Sequence, residues 1–289
     1  MNSIDRYAVI GSGIGHSRSP QIHALFAKAT RQAMEYGLLD VPPVAFQTVV
    51  RNFFRDGGRG LNVTVPHKLA ALRLADTLAP RAQRAGAVNT LSAAADGKLH
   101  GDNTDGAGLV RDLTDNLGCK LEGARVLLLG AGGAARGVTA PLLEAGVASL
   151  AVCNRHAVRA RKLAQEFADL GPVMATSANP DPAGARSRLR HDAGYDLIIN
   201  ATSASLAGEV PQVPAHAVGT QTLAYDMAYG ERDTVFVHWA RSAGAAHAVM
   251  GLGMLVEQAA ESFLLWRGVR PDTGHVLATL ATPASPGGE

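Results

Sequence analysis

The sequence predicts an α/β protein with largely parallel sheets, organised as two domains. Three observations carry this. Short apolar, β-rich runs alternate with helical patterns almost throughout the chain. A glycine-rich turn stands between one such run and a helical pattern near the middle. A length of 289 residues suits one large domain or two ordinary ones, and the pattern that starts afresh near residue 106 selects two.

Along the chain, the first candidate strand is Tyr7–Ile10. A helix over Pro20–Arg31 follows, with Ile22, Leu25, Phe26 and Ala29 on one face, Ser19 as cap and Pro20 at the first position. Phe46–Val50, Leu61–Val65 and Ala87–Ser92 read as further strands, and Ala107–Leu113 as a helix. Near residue 106 the pattern starts afresh. Arg125–Leu129 is a buried strand by composition, Ala134–Ala145 a helix and Ser149–Cys153 the next strand. Asp196–Asn200, Leu223–Met227 and Ala246–Met250 complete the strands, and Leu252–Trp266 is a final helix. The Pro-, Gly- and Arg-rich stretch Thr176–Gly194 reads as a loop, with or without a short helix, and the tail after Ala281 as disordered. The division is therefore 1–105 for one domain and 106–251 for a nucleotide domain.

Composition excludes several classes. Hydrophobic residues make up 47% and charged residues 18%, enough for a sizeable core and too little charge for disorder. A net charge of +2 gives no reason to expect nucleic acid or a membrane surface as partner. There is neither a signal-peptide pattern at the N-terminus nor a run of apolar residues of spanning length. Two cysteines, Cys119 and Cys153, lack metal or redox spacing. A cytoplasmic protein with free thiols is the expectation. The histidines form no metal-ligand pattern, so no metal is expected.

The glycine turn is GAGGAA, Gly130 to Ala135, a G-x-G-x-x-A form of the dinucleotide fingerprint. Gly130 allows the tight turn, Gly132 lets the backbone approach a pyrophosphate, and Ala135 permits close helix–strand packing. The following helix aims its first N–H groups at the phosphates. After the next strand come Asn154, Arg155, His156 and Arg159. An NAD site places a carboxylate here for the ribose hydroxyls. A neutral Asn with two arginines attracts a 2′-phosphate instead, so the preference is NADP.

Four polar clusters mark the first domain. Ser17-Arg18-Ser19-Pro20 reads, taken alone, as a helix cap. In Asn62-Val63-Thr64-Val65-Pro66-His67-Lys68, Pro66 suits the first turn of a helix and Lys68 lies in that turn, where a cation opposes the helix dipole. An isolated lysine is more often a surface residue. The third cluster is Gly86 to Thr90 and the fourth Gly101 to Gly106, in which Asp105 has the bland reading of an N-cap.

Together these stretches resemble the shikimate dehydrogenase family. They read GHSRSPQIH, NVTVPHK, AGAVNTL, GDNTDG, GAGGAAR, CNRHAVRA, DLIINATS, YDMAY and GLGMLVEQAAESFLLW, and their order and spacing match over nearly the whole chain. The resemblance implies a nucleotide domain inserted into a substrate domain, with residues 252–289 returning to the latter. It implies that Ser17, Ser19, Thr64, Asn89 and Gln258, joined by Tyr229, hydrogen-bond a shikimate-like substrate. Lys68 and Asp105 become the catalytic pair, both also touching substrate. Gly130, Ala131, Gly132, Gly133, Ala134, Asn154, Arg155, His156 and Arg159 would hold NADP(H), with Met227 and Gly251 at the nicotinamide end. His156 departs from the family, which often has Thr there.

The implied reaction is reversible, NADPH-dependent reduction of 3-dehydroshikimate, a step of aromatic amino acid biosynthesis. Lys68 would donate a proton to the oxygen that gains charge, and Asp105 would orient it. Alternatives are a quinate/shikimate dehydrogenase using NAD, and a non-catalytic NADP(H)-binding sensor on the same scaffold. The expected assembly is a monomer or a homodimer.

Overall fold

Residues 4–178 and 194–281 are described by the computed structural model. The chain divides into two compact units, Met1–Leu109 with Leu255–Glu289, and Val110–Met254.

The first unit is built on a six-stranded sheet. Its strands are β1 (Asp5–Gly11), β2 (Met34–Asp40), β3 (Gly58–Val63), β4 (Thr77–Leu78), β5 (Thr90–Ala93) and β6 (Leu99–Asp102), in the order β2-β1-β3-β5-β6-β4. β1 runs parallel to β2 and β3, whereas β5 is antiparallel to β3 and β6. The helices are α1 (Ser19–Thr30), α2 (Phe46–Arg55), α3 (Lys68–Leu74), α4 (Pro80–Ala85) and α5 (Asp105–Arg111). One core joins Ile10, Val50, Leu61, Val88 and Leu91, all fully buried, with the apolar face of α2.

The second unit holds β7 (Arg125–Leu129), β8 (Ser149–Cys153), β9 (Val173–Thr176), β10 (Tyr195–Asn200), β11 (Val218–Asp226) and β12 (His247–Met250). All pairs are parallel, in the order β12-β11-β10-β7-β8-β9. This is the doubly wound arrangement, with its switch point between β7 and β10. Its helices are α6 (Gly133–Glu144), α7 (Ala157–Phe167) and α8 (Val235–Ser242). Two last helices are α9 (Leu252–Arg267) and α10 (Thr273–Ala281). The expected α/β class with largely parallel sheets is what the structure has, and the second unit is Rossmann-like.

Several expectations need correction. Phe46–Val50 is the start of α2, not a strand. Phe46, Val49, Val50 and Phe53 recur at i, i+3, i+4 and i+7, the spacing of one helical face, and that face packs on the core. Met34–Asp40 forms a strand absent from the expected set, with Met34, Tyr36 and Leu38 alternating along it. It is a half-exposed edge strand held residue for residue by β1. The helix after β1 begins at Ser19, with Arg18 at the cap position. The helix has no side-chain cap; the Ser17 hydroxyl accepts the Ser19 N–H at 3.3 Å, and Ser19 lies inside the helix. Pro66 precedes α3, which starts at Lys68. Asp105 is the first helical residue of α5 rather than a cap outside it. Thr176 closes β9, while most of the expected loop, residues 179–193, and the tail 282–289 lie outside the described residues.

Candidate active site

In the first unit, the turn between β3 and α3 is pinned from two sides. Thr64 donates its N–H to the Ile10 carbonyl at 2.9 Å, and the His67 N–H returns to the Thr64 carbonyl at 2.8 Å. The buried His67 ring stacks on Phe46 at 4.5 Å and bonds through Nε2 to the Val41 carbonyl at 2.8 Å. A turn held this way delivers Lys68 at the first position of α3. Its ammonium forms an ion pair with Asp105 Oδ2, and both side chains are largely withdrawn from solvent. Withdrawal strengthens the attraction and lessens its screening by salt.

Asp105 is placed by the turn before α5. Its N–H donates to Asn103 Oδ1 at 3.1 Å, and Asn103 donates through Nδ2 to the Ala87 carbonyl at 2.9 Å. Arg81 clamps the start of that turn by two bonds to Asp102, at 2.7 and 2.9 Å. Asn89 then approaches from the connection between α4 and β5. Its Nδ2 donates to Asp105 Oδ1 and Thr104 Oγ1, each at 2.9 Å, and meets Gln258 Oε1 at 3.3 Å. Its Oδ1 accepts the Thr104 N–H at 2.8 Å. A backbone N–H can only donate, so this bond fixes which end of the amide faces Asp105.

Lys68, Asp105, Asn89 and Gln258 are thus brought together in one hydrogen-bonded set. Ser17 and Ser19 follow β1, Thr64 follows β3, and these two loops are tied by a 3.0 Å bond from the Ser12 N–H to the Val65 carbonyl. Tyr229, Met227 and Gly251 belong to the second unit. Behind the set lies a layer that the sequence reading misses, made of Asn62, Thr90, Thr104 and Ser262, all buried. A signal for Ser262 exists, since it stands one helical turn beyond Gln258 on α9.

In the second unit, β7 ends in the glycine turn. Gly130 has φ +111°, and a Cβ there would approach the Ala201 carbonyl oxygen at 3.1 Å, so only glycine fits without strain. Gly132 precedes the first turn of α6 in extended backbone, and no atom would lie within 4 Å of a Cβ added to it. The space over Gly132 is therefore open, and α6 begins with no side-chain cap on its N–H groups. An open cradle above uncapped helical N–H groups fits a pyrophosphate. At the end of β8, Asn154 is half-buried and Arg155, His156 and Arg159 are exposed. Among the described residues no carboxylate neutralises Arg155 or Arg159, which suits them to a phosphate.

The loops at the ends of β10 and β11 are organised by Asp226. It accepts from Asn200 Nδ2 and the Ala228 N–H, each at 3.1 Å, and from the Ser205 and Thr234 hydroxyls, each at 2.6 Å. Burial pushes its carboxyl up, against the pull of these donors. The Gly251 N–H bonds the Ala228 carbonyl at 3.0 Å, and a Cβ on Gly251 would meet the Met227 carbonyl oxygen at 2.7 Å. Backbone packing thus requires glycine next to Met227. Among the described residues no group of His, Cys, Asp or Glu could hold a metal, and no helix is long and apolar enough to cross a membrane.

A doubly wound sheet with an open glycine turn, in one chain with a unit carrying a buried Lys–Asp pair, defines a dinucleotide-dependent oxidoreductase. Comparison with known proteins narrows the class. Residues 9–91 match a family described as the shikimate dehydrogenase substrate binding domain. Residues 112–207 match the shikimate / quinate 5-dehydrogenase family, and residues 251–281 the shikimate 5'-dehydrogenase C-terminal domain. The shikimate dehydrogenase (NADP(+)) of Aromatoleum aromaticum is 57% identical over 280 residues, covering 96% of this chain and 97% of the relative. A crystal structure of an Ael1 enzyme from Pseudomonas putida is 44% identical, with TM-score 0.84, covering 96% of this chain and 99% of that one. The shikimate 5-dehydrogenase of Thermus thermophilus, solved with NADP(H) and shikimate, is 35% identical, with TM-score 0.79, covering 93% of this chain and 96% of that one. The chain belongs to the shikimate dehydrogenase family.

Proposed function

We propose that the protein catalyses the reversible reduction of 3-dehydroshikimate to shikimate with NADPH, with Lys68 and Asp105 as its catalytic pair. The observation that carries this reading is the ion pair of Lys68 with Asp105 Oδ2, while Asn89 holds Asp105 Oδ1. Full-length relatives named as NADP(+)-dependent shikimate dehydrogenases support it, as does the relative solved with both ligands.

NADPH, when bound, supplies a hydride to the ketone carbon. The ketone oxygen then gains negative charge, and an ammonium beside it lowers the energy of that state. Lys68 is the donor: its Nζ proton passes to the oxygen, and in the reverse direction the neutral amine takes the proton back. Asp105 orients the ammonium and compensates its charge. Gln258, Asn89, Thr64, Ser17 and Ser19 supply polar groups for the carboxylate and hydroxyls of the substrate, and Tyr229 joins them. Residues 1–105 with 252–289 serve as the substrate domain, and 106–251 as the nucleotide domain. Gly130 to Ala134 receive the pyrophosphate, Asn154, Arg155, His156 and Arg159 the adenosine 2′-phosphate, and Met227 and Gly251 the nicotinamide end.

The test is the appearance of reduced nicotinamide absorbance from purified protein and shikimate, with NADP⁺ and NAD⁺ in parallel. A rise with NADP⁺, much faster than with NAD⁺, is expected. Equal rates with both cofactors, or a faster rate with quinate, would replace this reading with a quinate/shikimate dehydrogenase.

A further inference from the structure

Behind Asn89 lies a continuous run of hydroxyls and amides in hydrogen-bond contact. Tyr36 donates its hydroxyl to Asn62 Oδ1 at 2.7 Å. The Asn62 nitrogen lies on the other side, where it donates to Ser262 Oγ at 2.8 Å and Thr90 Oγ1 at 3.3 Å. Thr90 donates onward to Asn89 Oδ1 at 2.9 Å. Ser262 Oγ is also within 2.9 Å of Thr90 Oγ1, 3.3 Å of Thr104 Oγ1 and 3.1 Å of the Gln258 carbonyl. Thr90, Thr104 and Ser262 are wholly buried, so water cannot replace a lost partner.

The two ends of Asn89 differ in a way that matters. The carbonyl end faces donors alone: the Thr104 N–H, which cannot turn away, and the Thr90 and Thr104 hydroxyls at 2.9 and 3.2 Å. The nitrogen end has two protons for three acceptors, on Asp105, Thr104 and Gln258. Over-subscription lets the nitrogen change partners when a polar ligand arrives, provided that the carbonyl end stays anchored. We propose that Thr90 and Ser262 are positioning residues for the reaction: Thr90 helps to anchor the carbonyl end of Asn89, and Ser262 holds the Thr90 hydroxyl, so that the Asn89 nitrogen stays directed at Asp105 while the acceptors beside it change.

The inference rests on the proposed function, and wild-type turnover of shikimate with NADP⁺ is its control: no turnover in wild type defeats that reading, not this one. Thr90→Val keeps the shape of the side chain and removes its hydroxyl. It is expected to lower kcat about tenfold, the scale of a misplaced reacting group, and to leave the KM for NADP⁺ unchanged. Thr90→Ser restores the hydroxyl and is expected to return kcat to within about twofold of wild type. Ser262→Ala, on a different element, is expected to lower kcat in the same direction, and it decides the matter should Thr90→Val fail to fold. A purely structural role predicts the opposite split, a lower Tm with kcat and KM of the folded enzyme unchanged, and that result in the folded variants overturns the proposal. Failure of Thr90→Ser to recover activity also overturns it, because the hydroxyl would then not be the active feature.

Discussion

Asn89 donates its side-chain nitrogen to Asp105 Oδ1 at 2.9 Å, and Asp105 gives its other oxygen to Lys68. The two oxygens of one carboxylate thus have different tasks. One is fixed by a neutral amide, which sets the plane of the group. The other carries the ion pair. The proton transfer proposed for Lys68 requires both, since an ammonium delivers a proton efficiently only when it is held within hydrogen-bond reach of the acceptor.

Removal of the ammonium tests this first. Lys68→Ala is expected to lower kcat by about 10²-fold or more, with a smaller change in the KM for shikimate. Steady-state rates with saturating NADP⁺ measure it. A kcat close to wild type would remove Lys68 from the mechanism.

Gly132 separates folding from cofactor binding. Nothing lies within 4 Å of a Cβ added there, and its extended backbone suits any residue. Gly132→Ala is therefore expected to leave the Tm of the apo protein unchanged. It is expected to weaken NADP⁺ binding by about tenfold or more, because the methyl group fills the space that a pyrophosphate needs. Calorimetric titration of NADP⁺ reads the affinity. Unchanged affinity would place the pyrophosphate elsewhere.

The proposed function gives the arginines after β8 the choice of cofactor. A charge-assisted bond to a phosphate contributes about 1.5–3 kcal/mol, so Arg155→Ala and Arg159→Ala should each raise the KM for NADP⁺ by about tenfold or more. The kcat/KM with NAD⁺, which has no 2′-phosphate, is expected to stay the same. Equal losses with both cofactors would mean that the arginines act on something other than that phosphate.

His23 makes stability fall in acid. Its ring is wholly buried, stacked on Tyr36 at 4.0 Å, and burial pushes its pKa from the ordinary 6.5 down to about 3. Between those values the unfolded chain binds a proton that the folded chain refuses. The contribution is complete above about pH 6.5 and is lost on acidification at up to about 1.4 kcal/mol per pH unit. From pH 7 to 5 this amounts to about 2 kcal/mol. Urea unfolding across that range should show a slope that is shallower by one proton in His23→Leu. Identical slopes would assign the acid sensitivity to other groups.

What is legible in the sequence follows from what is local. The strand RVLLL at β7, the glycine turn after it and the arginines after β8 are each contiguous or nearly so, and spacing alone exposes their chemistry. Lys68 and Asp105 are legible only as members of family-like motifs, because each alone has a bland reading. The helix at Phe46 reads as a strand because its β-rich residues also carry helical spacing, and only packing on the core selects between the two. The strand at Met34–Asp40 carries only a weak mark, since Met34, Tyr36 and Leu38 alternate with Glu35 and Gly37 but Leu39 breaks the alternation, and pairing with β1 secures it.

By itself, then, the sequence determined the fold class and the preference for a phosphorylated dinucleotide, and by resemblance it named the candidate residues of the site. Tertiary structure alone decided how those residues are aimed. Asn62, Thr90, Thr104 and Ser262 come from four separate stretches of chain, and their joint effect on Asn89 exists only after folding. The physical reason is that a hydrogen bond is directional and short: it fixes a side chain only when donor and acceptor meet at about 3 Å. Residues as far apart as Asn62 and Ser262 reach that distance through packing, which no local pattern records.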